Sequence, residues 1–225
     1  MLLAQGRVTV DGETATDINQ QIDPFSLVTF DGTELQNRVR RYVLLHKPVG
    51  VVSATKDNMH PTVIDVLRDG GFPDAELADL HIAGRLDLNS SGLVLLTNDS
   101  DWSEALITPG RKVAKVYEVT LENPISDDCV KAFQQGIYFP YEDMTTQPAL
   151  LERLTSTTGR VTLTEGKYHQ IKRMFGRFRN PVTALHRTHI GTITLDPTLT
   201  PGQFRPLTES ETRQATGVVA TKDSA

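Results

Sequence analysis

Along most of this chain apolar and polar positions alternate in short runs with a period of two, as in KVYEVTL at 115–121. That is the signature of strands with one face buried. The spacing predicts strands at 42–46, 49–54, 92–97, 115–122, 147–154, 159–165 and 182–194. Leu93, Val94, Leu95 and Leu96 are apolar without alternation, which predicts a strand covered on both faces. Helical spacing, with polar starts that suit capping, predicts helices at 62–68, 100–107, 127–135, 167–178 and 208–215. Strands outnumber helices and do not alternate strictly with them, so the expected class is α+β with a mixed, mainly antiparallel sheet and flanking helices.

Residues 1–35 read as a separate small module, because RVTVDG at 7–12 and SLVTFDG at 26–32 are alternating strands that each end in Asp-Gly turn chemistry. A hairpin pair that merely packs on a larger domain would read the same way. Residues 36–41, QNRVRR, form a polar and basic link to a main body at 42–215. From 216 onward the residues are small and polar, and a frayed tail is expected.

Composition narrows the function classes. With 225 residues, 38% of them apolar, the chain can bury a substantial core. No run approaches the roughly 20 apolar residues of a membrane span. The opening MLLAQGRVTVDG lacks the pattern of a secretory signal, so a cytoplasmic protein without membrane contact is expected. Cys129, the single cysteine, reads as a buried thiol in a reducing compartment. The histidines show no metal-ligand spacing, and no nucleotide-binding glycine pattern is present, so neither metal nor cofactor is expected. The net charge of −5 conceals a local excess. Between Lys167 and Leu195 stand six Lys or Arg, three His and no acid. A basic surface on an acidic body steers a polyanion to one face.

The candidate chemistry centres on Asp87 in HIAGRLDLNSSGLVLLTND at 81–99, where a polar loop feeds the doubly buried strand. Loops fixed by rigid strands commonly carry function, although an ordinary solvated turn has the same local composition. Asp99 and Asp101 are carried away from Asp87 by that strand, so a paired-carboxylate hydrolase is not indicated. On a helix over 167–178, at about 100° per residue, Tyr168, Ile171, Met174, Phe175 and Phe178 form one apolar stripe. Lys172 lies beside it, placed either to pair with a half-buried Asp87 or to snorkel to solvent. Arg173 and Arg177 lie on the open face, suited to phosphates. His169 and Gln170 read as braces of the helix start, and Lys47, Pro48 and Gly50 as a stiff turn able to touch RNA. Alternation puts Lys115, Tyr117, Val119 and Leu121 on one face, where Tyr117 by itself reads as core.

The pattern GRLD-x-x-S-x-GL-x-LLT-x-D, preceded by LHKPVGVVS at 45–53 and followed by KVYEV at 115–119, EGKYHQIKRMF at 165–175 and LHRTHIG at 185–191, strongly resembles the pseudouridine synthases. IGTITLDPTLTPGQFRPLT at 190–208 resembles their small-subunit ribosomal branch in particular. The resemblance covers about Arg7 to Glu211 and implies the pseudouridine-synthase fold, no cofactor, and isomerisation of a uridine in small-subunit (16S) ribosomal RNA. It implies that Asp87 is the catalytic carboxylate, acting either at C1′ or by removing a proton from C2′. Lys172 would be its counter-charge, Tyr117 the aromatic that stacks on the flipped base, and Leu185 the apolar wall. Arg85, and more weakly Arg187, would hold RNA backbone or brace the loop, with Lys115, Arg173 and Arg177 as further RNA contacts. Where much of the family has Arg, Lys172 keeps the charge but loses the two-pronged grip. The first module resembles the second half of an S4-type RNA-binding domain, and since that domain normally begins with two helices, an incomplete one is expected. A monomer acting on ribosomal RNA, free or within a partly assembled ribonucleoprotein, is the implied arrangement. A non-catalytic RNA-binding or assembly factor on the same fold, or a large-subunit synthase, are the alternatives.

Overall fold

The structure, a computed structural model, describes residues 3–215, so the tail expected from residue 216 lies outside the described residues. The chain divides into two compact units between Arg41 and Tyr42.

In the first unit, β1 (Val8–Val10), β2 (Glu13–Thr14), β3 (Val28–Phe30) and β4 (Thr33–Gln36) form an antiparallel sheet in the order β2-β1-β3-β4. Two two-residue turns, Asp11-Gly12 and Asp31-Gly32, join its hairpins, and all four residues have positive φ. This is the turn whose twist matches paired strands, and Asp-Gly adopts it readily. Alternation reveals β1 and β3 but not their partners, because the side chains of β2 and most of β4 are exposed and polar. Val10, Ala15 and Val28 make a small core.

The second unit begins with β5 (Tyr42–Lys47), α1 (Val63–Asp69), α2 (Asp74–Leu77), β6 (His81–Ala83), β7 (Ser91–Thr97), α3 (Ser100–Ile107) and β8 (Lys115–Leu121). It continues with α4 (Asp127–Gln135), a short hairpin β9 (Tyr138–Phe139) and β10 (Met144–Thr145), β11 (Leu150–Arg153), β12 (Thr158–Leu163) and α5 (Gln170–Gly176). It closes with β13 (Val182–Ile190), β14 (Ile193–Thr194), β15 (Phe204–Pro206) and α6 (Glu209–Ala215). One sheet runs β11-β12-β8-β13-β7-β5-β15, with β14 on β13 and β6 on β7; only the β13–β7 pair is parallel. The class is therefore α+β with a mixed, mainly antiparallel sheet, as the spacing predicted.

β7 is the spine. Val94 and Leu96 enter a core shared with α1, α4 and α5, whereas Leu93 and Leu95 enter a second core with Trp102 and Leu106 of α3. Both faces are covered, which explains the unalternating run. Gly92 crosses β13 so closely that a Cβ there would lie 2.2 Å from the Arg187 carbonyl oxygen. Cys129 is buried in α4, and burial pushes its thiol up to about 11, an unreactive group. Among the described residues no helix is long and apolar enough to cross a membrane.

Two expected strands are corrected. Residues 49–54 form no sheet strand, only a single bridge from Val52 to Thr62. Their polar groups bind a neighbouring loop instead, as described below. The run expected at 182–194 breaks at Gly191 into the hairpin β13–β14.

At the end of the unit Arg205 bridges Asp196 and Glu211, whose carboxylate also accepts from Thr208 at the start of α6. Hydrogen bonds from Arg205, and then from Thr208, hold Glu211 at about 2, below its ordinary 4.5; Asp196, bonded first by Thr198 and then by Arg205, is also held at about 2. Each acid binds its proton less readily in the folded state. The stability they lend is complete above their ordinary values and drains as pH falls from about 4.5 to about 2. Glu211→Gln should therefore melt lower than the parent at pH 7, and the gap should close by pH 2; a gap of constant size across thermal melts would refute the assignment.

Candidate active site

The loop between β6 and β7 has few bonds of its own: the Ser90 amide donates to the Asp87 carbonyl at 3.0 Å. Its backbone is held from outside. The Arg187 guanidinium donates to the carbonyls of Gly84 (2.9 Å), Arg85 (3.3 Å) and Leu93 (2.8 Å). Ser53 Oγ exchanges bonds with both the amide and the carbonyl of Leu86, and the Gly50 amide donates to the Leu88 carbonyl. The Lys47 ammonium, fully buried, donates to the Ser90 carbonyl at 2.6 Å and to that of Pro48. The backbone on both sides of Asp87 is thus positioned by two other segments of chain, 47–53 and β13. Such supported loops hold a reacting group to within the fraction of an ångström that chemistry needs.

α5 brings a counter-charge, and the residue just before it an imidazole. Lys172 Nζ lies 3.3 Å from Asp87 Oδ2, and His169 Nε2 lies 3.4 Å from Oδ1. All three side chains are roughly one-third exposed, so they line an open cleft. Tyr117 of β8 and Leu185 of β13, both buried, form its inner wall, and Arg85 stands exposed at the rim. A second hollow opens from the same residues toward Lys115, Tyr168 and Arg187. Ser90 Oγ, on the cleft wall, is buried with no hydrogen-bond partner among the described residues.

The structure thus gathers Asp87, Lys172, Tyr117, Leu185 and Arg85 around one cleft. Of the two placements open to Lys172, it takes the one beside the carboxylate. Arg177 is exposed, as expected. Of the two roles open to Arg187, it takes the brace: it is 1% exposed, with its guanidinium committed to carbonyls. Three expectations need correction. Lys115 is buried and bonded to the Val113 carbonyl; burial, then the nearby Arg187 charge, lowers its pKa, and it is no surface phosphate contact. Arg173 is ion-paired with Glu142 and stacked 4.3 Å over Phe139, so it is not open to solvent as a free cation. Tyr168 leaves the apolar stripe: it is 75% exposed, because α5 begins at Gln170 after a left-handed His169.

Two further residues belong to the site. His169, which reads from sequence as a brace, touches the carboxylate; a position three before Lys172 shares its side of a helix, and that spacing is a usable signal. Gln170 alone braces, donating to Glu165 and accepting from the Lys167 amide. Lys47 reads as a surface turn residue but is buried; burial pushes it down to about 8, against the pull of Asp87 toward the charged form. Nothing local marks a lysine beside Pro48 as buried.

The Lys172 contact carries a prediction. Replacing it by Met should lower kcat about ten- to a hundredfold, the effect of one to two tenfold steps of about 1.4 kcal/mol each, while Lys172→Arg should keep most activity. Single-turnover kinetics decide it: equal rates for Met and wild type would remove Lys172 from the site.

Among the described residues no cluster of His, Cys, Asp or Glu is placed to hold a metal ion. Residues 41–176 match the RNA pseudouridylate synthase family. The chain is 49% identical over 212 residues to the ribosomal small subunit pseudouridine synthase A of Pseudomonas aeruginosa, covering 94% of this chain and 90% of that one. It is 46% identical over 207 residues to the protein of the same name from Escherichia coli K12, covering 91% and 87%. A crystal structure of a pseudouridylate synthase superposes with a TM-score of 0.74 at 36% identity, over 95% of this chain and 90% of the other. The matched segment contains the Asp87 loop, Tyr117 and Lys172 together, and on this footing the chain belongs to the RNA pseudouridylate synthase family.

Proposed function

We propose that this protein isomerises one uridine of small-subunit ribosomal RNA to pseudouridine, with Asp87 as the catalytic carboxylate. One observation carries the reading: a carboxylate held rigidly in an open cleft, flanked by two basic side chains and walled by an aromatic and an aliphatic residue. The small-subunit assignment rests on the names of the relatives that match nearly half of its residues. In the reaction the C1′–N1 bond breaks, the freed uracil turns within the cleft, C5 bonds to C1′, and the C5 proton leaves as N1 gains one. The sum is an isomerisation that consumes no co-reactant. Asp87 acts at the ribose, by attack on C1′ or by taking the C2′ proton, and Lys172, 3.3 Å away, is its counter-charge. The target base is reachable only when flipped from its stack, and Tyr117 stacks on it there while Leu185 limits its travel. The Tyr117 hydroxyl also assists removal of the C5 proton.

Arg85 at the rim and Arg177 on the far side of α5 contact phosphates, which position RNA without reading its sequence. The strands of residues 1–35 act as an S4-like RNA-binding module, joined through 36–41 to the catalytic body at 42–215. The protein works in the cytoplasm as a monomer, on RNA free or in a partly assembled ribonucleoprotein. The test is pseudouridine mapping on unmodified small-subunit RNA after treatment with purified protein. One new site is expected; none, on RNA that the protein demonstrably binds, would favour a non-catalytic binding factor.

A further inference from the structure

The exposed ring beside the catalytic pair has no role in the chemistry above. Tyr168 is 75% exposed, and its ring stacks on His169 at 3.9 Å between centroids and 18° between planes. The Nε2 edge of His169 belongs to the catalytic site, 3.4 Å from Asp87. The backbone puts His169 at φ +47°, ψ +32°, a left-handed conformation unfavourable for a non-glycine residue. Had the helix run unbroken from 167, Tyr168 would have joined the apolar stripe of Ile171, Met174 and Phe175. The left-handed step turns it outward instead, at the mouth of the hollow that also contains Arg85, Lys167 and Asp87. An outward-facing aromatic plane, continued inward by an imidazole and flanked by basic side chains, contributes nothing to a core. It has the composition of a base-stacking step in a nucleic-acid groove.

We propose that Tyr168 is a second nucleobase subsite: the base of a nucleotide flanking the target uridine stacks on the open face of Tyr168, continuing the Tyr168–His169 stack. Arg85 takes the adjoining phosphate, while Lys167 is paired with Glu165 at 3.6 Å. The proposal rests on the synthase reading above and adds a residue that holds substrate next to the flipped base. Stacking is tolerant of base identity, so this subsite contributes affinity and register along the strand more than sequence choice.

The experiment uses the full chain and small-subunit RNA carrying the mapped uridine. Initial rates are measured for wild type, Tyr168→Ala and Tyr168→Trp, and 2-aminopurine replaces each neighbour of that uridine in turn to report stacking by fluorescence quenching. Tyr168→Ala should raise KM about tenfold, with the loss falling on KM rather than kcat, and should abolish quenching at one flanking position. Tyr168→Trp should restore both. Pseudouridine formed by wild type and Tyr168→Ala with equal KM and equal quenching overturns the subsite alone. A wild-type protein that forms no pseudouridine overturns the synthase reading and takes the subsite with it.

Discussion

Asp87→Asn protein is expected to fold, to bind small-subunit RNA as tightly as the parent, and to form no detectable pseudouridine. The substitution keeps the shape of the side chain and removes its charge and basicity. Loop geometry should survive, because it is held by bonds to backbone from Arg187, Ser53, Gly50 and Lys47, none of which uses the carboxylate. Two partly exposed contacts, with His169 and Lys172, are weakened, each worth less than about 1 kcal/mol, and the buried Lys47 loses a carboxylate that favours its charged form. RNA affinity should hold or rise slightly, since one negative charge is removed from a surface that meets a polyanion. Turnover should fall on the order of 10⁴-fold or more, as nucleophile and base are lost at once. Binding and turnover measured on the same preparation separate the effects. Turnover within tenfold of wild type would exclude Asp87 from the chemistry, and loss of binding would mean that the carboxylate is structural.

Arg187→Met should lose stability and activity together. Its guanidinium is 1% exposed and donates to three carbonyls, two of them in the Asp87 loop. Methionine fills much of the volume but leaves those carbonyls without their donor. A bond to a charged group is worth roughly 1.5–3 kcal/mol, and relief from burying the charge offsets part of the sum. A net loss of about 3 kcal/mol is expected, which for a chain of this size lowers Tm by roughly 6–12 °C. Freed at Gly84 and Arg85, the loop can drift, and a displacement of about 1 Å is enough to cost about a hundredfold in rate. Lysine should not rescue, because a single ammonium cannot span three acceptors set for a planar fork. The decisive comparison is Tm against KM: a raised KM with unchanged Tm would return Arg187 to the role of an RNA contact.

These two residues mark the range of what is legible in sequence. Asp87 is legible because its setting is local: a polar loop, glycines at both ends, then four consecutive apolar residues that only a doubly covered strand accommodates. Lys172 is legible as one of two placements, through helical periodicity, and the cleft decides between them. Arg187 is not. Strand alternation places it inward, but a sequence written without its neighbours gives no sign that three carbonyls wait for it there. Residues 49–54 mislead for a related reason: their alternating pattern is real, yet Ser53 and Gly50 bond to Leu86 and Leu88 rather than to a strand. Lys47 and Lys115 read by residue type as surface charges and are buried.

What the sequence determined by itself, then, was the set of elements whose apolar period is complete within one segment, the α+β class, and the loop that presents the carboxylate. The tertiary structure alone decided which charges meet solvent, which meet each other and which hold backbone. It also decided that His169 steps into a left-handed conformation, bringing its ring to Asp87 and turning Tyr168 outward. The division has one physical cause. Periodicity is a property of a single segment, whereas burial and hydrogen-bond partnership depend on what packs against it, and here those partners lie from 30 to more than 100 residues away.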